Sequence, residues 1–353
     1  MAGERSTRRA PELQVQGRVV ERVARFEAHP GSSAALLAWV DDGRTLWCAG
    51  HRGPRVLALD VESERATTAV DLGAPGVESF AISPDARAAV IATGSDSLAM
   101  WSLTTASWEG PRIASPWVRR TLRWTPDGAG VAYLGERYDA QHLPHYGIGV
   151  IDPRTGRGWA HEIDAVTAQL DLVGPGPRFS STPLAVSPDG RWVELLLAHL
   201  DGCSTIRFDR ETGVFDRVPW APRQPELWSC ARLAGGAEVV AVARYATASF
   251  GEVYRTDLVR CATESSEERW AMKHPGGDTI VIAPDERWFV LWDPTWLQIR
   301  STHDGSLLGR FTLRGGEDRP VSVAIAPGST RLAVGTTRGR VWVLALAAKA
   351  RPT

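Results

Sequence analysis

A short pattern of apolar strand, tight turn and apolar strand recurs along the chain and restricts its possible folds more than any other feature. Its clearest copy is Ala81–Leu103, in which Ser83–Ala86 (SPDA) separates two apolar runs. Proline presets the second position of a tight turn, and aspartate bonds nearby backbone N–H groups. A second turn at Gly94–Ser97 leads to a third apolar run. The stretch therefore predicts three consecutive antiparallel strands.

Six paler copies of this pattern occupy most of the remaining chain. Three of the six separations between neighbouring turns are 42 or 43 residues, and the longest is 62. A period near 43 with four short strands per unit is typical of β-propeller blades. The sequence therefore predicts an all-β fold: a seven-bladed β-propeller with four-stranded antiparallel blades. The residues that end the seven turns are Gly43, Ala86, Gly128, Gly190, Gly236, Glu286 and Ser329.

The two ends of the chain predict how the ring closes. The seventh unit lacks a fourth strand, whereas the strand-like run Arg18–Glu27 has no partner beside it in sequence. Pairing the two removes an exposed sheet edge, so we expect an N-terminal strand at about 17–27 to complete the C-terminal blade. The expected organisation is a flexible tail over 1–16, one propeller over 17–347 and a C-terminal tail over 348–353.

The composition of the chain indicates which kinds of partner and which cellular compartment to expect. The net charge is −1, so no overall field favours nucleic acid or an anionic membrane. No apolar run approaches the roughly 20 residues that span a bilayer, and the first residues lack the apolar core of a secretory signal. The four cysteines have no paired spacing, which favours free thiols and a cytoplasmic location. They are Cys48, Cys203, Cys230 and Cys261.

Several segments resemble the WD-repeat propeller family. They are Phe26–His29 before the first blade, the Pro-Asp turns, and Ala92–Trp101 (ATGSDSLAMW) in the second. The resemblance implies a scaffold that mediates protein–protein interaction, without cofactors. The chain departs from the family because Ser102, not aspartate, follows the tryptophan. Val150–Gly156 also looks like the repeat of bacterial lactonase-type propellers, which stay a second choice.

Motifs of known enzymes are missing from the sequence. It contains no G-x-S-x-G, no H-E-x-x-H and no glycine-rich loop followed by lysine. The sequence therefore favours a protein that is not an enzyme, without excluding one. The alternative is a small-molecule-binding propeller, or a lactonase- or dehydrogenase-type propeller enzyme, that acts at the central channel. First strands would then supply Glu78, Arg119, Arg123, Glu226, Arg232 and Asp278.

Interruptions of the repeat indicate where a partner could bind. Extra residues occur at Arg137–Tyr146, Ala165–Ser180 and Ala246–Gly251, all in links that share one face of a propeller. Long loops on a rigid scaffold commonly carry function, and tyrosine and arginine dominate interface hot spots. We therefore expect a protein-binding rim on blades three to five, with this chain as a possible subunit of a larger complex. The candidate residues are Arg137, Tyr138, His142, His145, Tyr146, Phe179, Tyr245 and Phe250.

Two alternatives apply to the same residues. The aromatic side chains could simply pin their own loops to the propeller. Asp139, His142 and His145 have a spacing that could suit a metal ion, but Pro144 disfavours the helical turn that would bring the histidines together. The sequence therefore predicts no metal site and no cofactor.

Overall fold

Seven antiparallel sheets form the ring of a β-propeller, which confirms the predicted fold class. Each sheet is one blade, and its first strand is the innermost. The computed structural model describes residues 13–17, 20–34, 36–40, 43–72, 76–94, 97–114, 117–172, 178–187, 189–199, 202–219, 226–233, 238–246, 254–262, 267–274, 276–277, 279–293, 295–313 and 318–346.

Two N-terminal strands precede the first three blades. A single short helix follows blade three among the described residues, and none of the described helical structure is long and apolar enough to cross a membrane. The elements are β1 (Leu13–Gly17) and β2 (Val20–Glu27); blade one, β3 (Leu36–Trp39), β4 (Thr45–Ala49), β5 (Arg55–Asp60) and β6 (Arg65–Asp71); blade two, β7 (Val77–Ile82), β8 (Ala88–Thr93), β9 (Ser97–Ser102) and β10 (Ser107–Ala114); blade three, β11 (Val118–Trp124), β12 (Val131–Tyr138), β13 (Pro144–Ile151) and β14 (Gly158–Glu162); and the helix α1 (Ile163–Gln169).

The remaining four blades repeat the same order, in which each strand pairs with the next along the chain. The elements are blade four, β15 (Arg178–Val186), β16 (Trp192–His199), β17 (Gly202–Asp209) and β18 (Phe215–Pro219); blade five, β19 (Glu226–Arg232), β20 (Glu238–Ala246), β21 (Tyr254–Ala262) and β22 (Glu268–Lys273); blade six, β23 (Thr279–Ile282), β24 (Trp288–Trp292), β25 (Trp296–Ser301) and β26 (Leu307–Leu313); and blade seven, β27 (Pro320–Ile325), β28 (Arg331–Thr336) and β29 (Arg340–Leu346).

The N-terminal strand β2 closes the ring, as the sequence predicts. It pairs antiparallel with β29 and becomes the outer strand of blade seven. Phe26 is buried in the same apolar cluster as Val341 and Val343 of β29. At the end of the pair, Glu27 Oε1 lies 3.0 Å from Nε of Arg340. Backbone pairing, apolar packing and an ion pair therefore join the first and last strands of the propeller.

A second N-terminal strand extends blade six. Strand β1 pairs with β26, from Leu13↔Leu313 to Gly17↔Gly309, and gives this blade a fifth strand. The segment LQVQG alternates apolar and polar residues, but it contains only two apolar residues and follows a polar, proline-containing stretch, so it is a weak indication of a strand. The structure thus differs from the predicted tail at Leu13–Gln16, while residues 1–12 and 348–353 lie outside the described part of the chain.

The Pro-Asp turns are held by a side-chain network at their first residue. In blade three, Thr125 Oγ1 donates to Asp127 Oδ1 over 2.6 Å and accepts from the backbone N–H of Gly130 over 2.9 Å. The network fixes the turn and starts the second strand at a defined residue. The last turn residue has positive φ: 54° at Ala86, 68° at Gly128, 71° at Gly190, 56° at Glu286 and 54° at Ser329.

Tryptophan side chains connect neighbouring blades. Each of four indole N–H groups donates to a backbone carbonyl of the next or the preceding blade, and all four indoles also pack among apolar side chains. These bonds give a structural role to four of the 15 tryptophans. The pairs are Trp39 to Ala324 (3.1 Å), Trp124 to Ala81 (2.9 Å), Trp159 to Arg210 (2.7 Å) and Trp270 to Thr302 (2.9 Å).

Two of the four cysteines can be located in the core. Cys48 and Cys261 are buried and form no disulfide. Burial raises the pKa of the Cys48 thiol, and burial together with nearby carboxylates raises that of Cys261 to about 11. Both thiols therefore stay protonated at neutral pH and are poor nucleophiles.

The turn network predicts a measurable loss of stability in Thr125→Ala. The substitution leaves a buried backbone N–H of Gly130 without its acceptor, so we expect the free energy of unfolding to fall by about 1–3 kcal/mol in chemical denaturation. Ser107→Ala removes an exposed hydroxyl at the first residue of β10; it is the control and should change the free energy of unfolding little. Equal losses in the two variants would contradict the network's role.

An ion pair between blades three and four predicts a dependence on acidic pH. Asp127 Oδ2 lies 2.5 Å from Arg210 Nη1. Burial disfavours the charged carboxylate, but the hydrogen bonds from Thr125 and Arg210 outweigh this effect. The pKa of Asp127 is therefore lowered to about 2. A lowered folded-state pKa stabilises the protein above about pH 4, and this contribution disappears as pH falls towards 2. Because the pair is partly exposed, Asp127→Asn should cost about 0.5–1 kcal/mol at pH 7. Denaturation series should show this difference vanish near pH 2; a constant difference would contradict the linkage.

Candidate functional site

The insertion in blade three is a long hairpin rather than a long loop. Strands β12 and β13 stay paired from Val131↔Ile151 to Tyr138↔Pro144, so most of the predicted excursion is strand and only 139–143 form its loop. Pro144 occupies the first position of β13, where a strand tolerates proline. The hairpin therefore projects its tip on a regular, hydrogen-bonded support.

His145 connects this hairpin to the link between blades three and four. Its Nε2 lies 3.2 Å from Asp139 Oδ2 in the hairpin loop. Its Nδ1 lies 3.3 Å from Glu162 Oε1 and 3.4 Å from Asp164 Oδ2. Glu162 ends β14 and Asp164 lies in the first turn of α1. These contacts place the hairpin and the link on one face, as the propeller geometry predicts; we call residues 137–146 with Glu162 and Asp164 the blade-three rim.

The three carboxylates dominate the electrostatics of His145. The hydrogen bond with Asp139 raises the pKa of His145 from its ordinary value, against a smaller effect of burial, and the charges of Asp139, Asp164 and Glu162 add to it. The pKa of the Asp139 carboxyl is lowered, mainly by the hydrogen bond that it accepts from the backbone N–H of Leu143. The imidazole thus lies in an environment that favours positive charge.

Helix α1 fixes the acidic side of the rim. Ile163 and Val166 are buried in an apolar cluster that includes Leu184 and Leu195 of blade four. Because Ile163 stands between Glu162 and Asp164, its burial anchors both carboxylates beside the hairpin. The sequence interpretation placed the insertion at Ala165–Ser180 and did not foresee the helix, since seven residues are too few to show a helical period.

Arg137 is held in place by two neighbours. Its Nη2 lies 3.0 Å from Glu162 Oε1, and its guanidinium lies 4.8 Å from the ring centroid of Trp117. The indole in turn covers Gly147, where a Cβ atom would lie 2.3 Å from Trp117 Cε2. These two contacts hold the Arg137 side chain against the rim, while its predicted binding role stays a prediction.

The tip of the hairpin exposes apolar surface. Tyr138 is 55% exposed and Leu143 is 60% exposed. The hydroxyl of Tyr138 donates to Glu136 Oε1 over 3.3 Å, which restricts the ring. Leu143 was not among the predicted residues, although an isolated leucine among polar residues at a predicted loop tip is a usable signal. Large apolar side chains displayed together are a feature of interaction surfaces.

The other candidate residues fall into two groups. Tyr146 is partly buried and packs against the apolar cluster between blades three and four, whereas His142 is exposed. Phe179 lies in β15 and Tyr245 in β20, but their side chains are outside the described part of the structure, as is Phe250 altogether. The structure thus brings together Arg137, Tyr138, His142, His145 and Tyr146, and a binding role for all eight stays a prediction.

Of the six residues predicted to line the central channel, Glu78 and Arg123 have side chains that the structure describes. Glu78 lies 3.2 Å from Arg52 Nε, so this carboxylate is part of an ion pair. Arg123 keeps an exposed fraction, and burial lowers the pKa of its guanidinium. The side chains of Arg119, Glu226 and Arg232, and Asp278 as a whole, lie outside the described residues.

A shallow cleft lies on the face opposite the blade-three rim. Its volume is about 340 Å³, and Trp159, Asp152 and Arg210 contribute to its lining. Asp152 already accepts hydrogen bonds within its own turn, and Arg210 already pairs with Asp127. Asp152 therefore serves its own turn, and Arg210 serves the contact between blades three and four.

Comparisons with known proteins support the fold alone. No protein-family model and no curated protein matches the sequence. Among solved structures, the chain is similar to hydrazine synthase of Kuenenia stuttgartiensis, with a TM-score of 0.64 and 14% identity over 98% of this chain and 99% of that one. At this identity the similarity shows a shared β-propeller, a scaffold that serves many unrelated functions.

The close contact between Gly147 and Trp117 predicts the effect of Gly147→Ala. The added methyl group would overlap the indole, so Trp117 must move and Arg137 loses its stacking surface. We expect a loss of about 1–3 kcal/mol in the free energy of unfolding, measured by denaturation. Gly53→Ala is the control, because a Cβ there meets neighbours only at ordinary contact distance. A neutral Gly147→Ala would contradict this packing.

Proposed function

We propose that this protein is a non-enzymatic, WD-repeat-like scaffold that binds a protein partner through the loop-rich rim of blades three to five. The exposed pair Tyr138 and Leu143, at the tip of a rigid hairpin, is the observation that carries the proposal. The proposed surface is centred on the blade-three rim and includes Phe179, Tyr245 and Phe250 as predicted contributors.

The hairpin supports this function because its tip is preorganised. Backbone pairing continues up to Tyr138, and the Asp139 carboxylate accepts from the N–H groups of Gln141 and Leu143 over 2.9 Å each. A rigid tip loses little conformational entropy on binding, so more of the contact energy remains as affinity. Tyrosine adds a large contact area with few rotatable bonds.

The proposed setting is a cytoplasmic complex. The buried, unpaired thiols of Cys48 and Cys261 suit a reducing compartment. A scaffold of this kind would act as one subunit of a larger assembly. For the alternative, an enzyme or small-molecule binder at the central channel, the described channel residues provide no convergent set of catalytic groups.

The proposal predicts that a Tyr138→Ala, Leu143→Ala double variant loses its partner. Removal of two apolar anchors should weaken binding at least tenfold, since hot-spot truncations cost about 2 kcal/mol or more. Affinity purification of tagged wild-type and variant chains from the native extract, with quantitative mass spectrometry, measures the change.

A matched control separates loss of binding from loss of exposed apolar surface in general. Val214→Ala, Leu307→Ala removes two exposed side chains that lie next to the links between third and fourth strands, Val214 just before β18 and Leu307 at the start of β26. They are 68% and 47% exposed in the native chain. This variant should retain the partners of the wild type. If the Tyr138, Leu143 variant folds and recovers the same proteins in the same amounts, the proposed surface is wrong.

A further inference from the structure

We propose that His145, Glu162 and Asp164 bind a divalent transition-metal ion, best satisfied by zinc, with Asp139 as the residue that orients the histidine. The sequence predicted no metal site here, because Pro144 disfavours a helical turn that would bring His142 and His145 together. The two acidic ligands lie in another segment of the chain. The inference rests on the geometry of the blade-three rim and is independent of the proposed partner.

The spacing of the three donor atoms fits one shared ion. Nδ1 of His145, an oxygen of Glu162 and an oxygen of Asp164 all lie within 4.8 Å of one another. The two distances from Nδ1 are 3.3 and 3.4 Å. Ligands about 2.0–2.1 Å from a tetrahedral zinc ion are about 3.3–3.4 Å apart. The rim therefore already holds two edges of such a tetrahedron.

Nδ1 of His145 is directed at this space without a conventional partner. The atom is shielded from solvent and makes no hydrogen bond to any described residue, although two carboxylate oxygens are near. Both oxygens are thus displaced from the direction in which the ring nitrogen would donate. Ligands that share a tetrahedral ion are displaced in this way, roughly 35° from the nitrogen–metal axis. The same atoms suit coordination better than hydrogen bonding.

Asp139 orients the imidazole of His145 through the ring nitrogen that faces away from the proposed ion. Its carboxylate lies 3.2 Å from Nε2 of His145 and forms a hydrogen bond with it. A carboxylate that accepts from one ring nitrogen leaves the lone pair on the other, which is the usual support for a metal-bound histidine. Asp139 is itself fixed by the loop N–H groups of Gln141 and Leu143, so the imidazole is oriented in advance.

The side-chain charges around this position favour a divalent cation. Asp139, Glu162 and Asp164 each carry one negative charge, and Arg137 carries the positive charge opposite Glu162. With a neutral imidazole, these groups sum to −2, which one divalent cation balances. Arg137 contacts Glu162 Oε1 at 3.0 Å, so it competes for one ligand oxygen but also holds that side chain in the rim.

The donor types select zinc among common cations. An imidazole nitrogen with two carboxylate oxygens suits a transition-metal ion, whereas calcium takes six to eight oxygen ligands and magnesium prefers oxygen and water. Three protein ligands leave a fourth tetrahedral position open. The site would therefore hold zinc at the surface of the rim, with one position for water or another donor.

Calorimetric titration of the full chain, stripped with a chelator and repurified, tests the proposal. We expect saturable binding of Zn²⁺ at about one equivalent, and no comparable binding of Mg²⁺ or Ca²⁺ in parallel titrations. Co²⁺ should bind at the same residues and give the visible absorption of a tetrahedral site. Absence of Zn²⁺ binding, or binding of Mg²⁺ or Ca²⁺ in its place, overturns the assignment.

Variants decide which residues are ligands. His145→Gln and Glu162→Gln should each weaken Zn²⁺ binding at least 100-fold, and Asp139→Asn by about 10- to 100-fold as a positioning residue. His142→Gln is the control, because this exposed histidine lies three residues away and outside the cluster, and it should bind like the wild type. Thermal denaturation without metal checks that each variant folds. Binding unaffected by His145→Gln, or weakened equally by His142→Gln, refutes the site.

Discussion

Packing between neighbouring blades is the interaction on which the rest of this structure depends. Each blade is a small sheet that is apolar on both faces, so it is stable only between two others. The indoles of Trp39 and Trp124 illustrate the contact, since each fills apolar space and donates to a carbonyl of the adjacent blade. Such contacts must continue around the whole ring, because a missing neighbour would expose a complete apolar face. The rigidity of the blade-three hairpin follows from the same packing at its base.

The sequence predicted the scaffold because the scaffold is periodic. Turns such as Thr125–Gly128 recur at similar spacing, and their Ser or Thr, Pro and Asp residues have identifiable local roles. Ring closure was also predictable, since one strand-like run at the start matched one missing strand at the end. In contrast, β1 was missed because its attachment to blade six depends on backbone pairing with an available edge. The alternation in LQVQG is only two apolar residues long, which is too short to indicate a strand.

The hairpin half of the candidate site could be predicted from the sequence, but its acidic half could not. Arg137–Tyr146 interrupts the repeat, so it attracted attention, and Asp139 and His145 were considered together. Their partners Glu162 and Asp164 lie at the end of β14 and in α1, and only the propeller's geometry brings the hairpin and the inter-blade link to one face. A spacing rule that assumes a local helix rejects such a cluster, whereas the fold assembles it from two separate segments. Tertiary proximity of this kind leaves no short motif in the sequence.

The attachment of the N-terminal segment to two blades has a consequence for biosynthesis. Strands β1 and β2 are synthesised before all seven blades, yet their partners β26 and β29 belong to blades six and seven. Glu27 and Arg340, which pair across the closure, are separated by 313 residues. The N-terminal segment must therefore stay unpaired until blades six and seven have been made. Closure of the ring depends on contacts of large sequence separation, which form late because their loop-closure entropy is high.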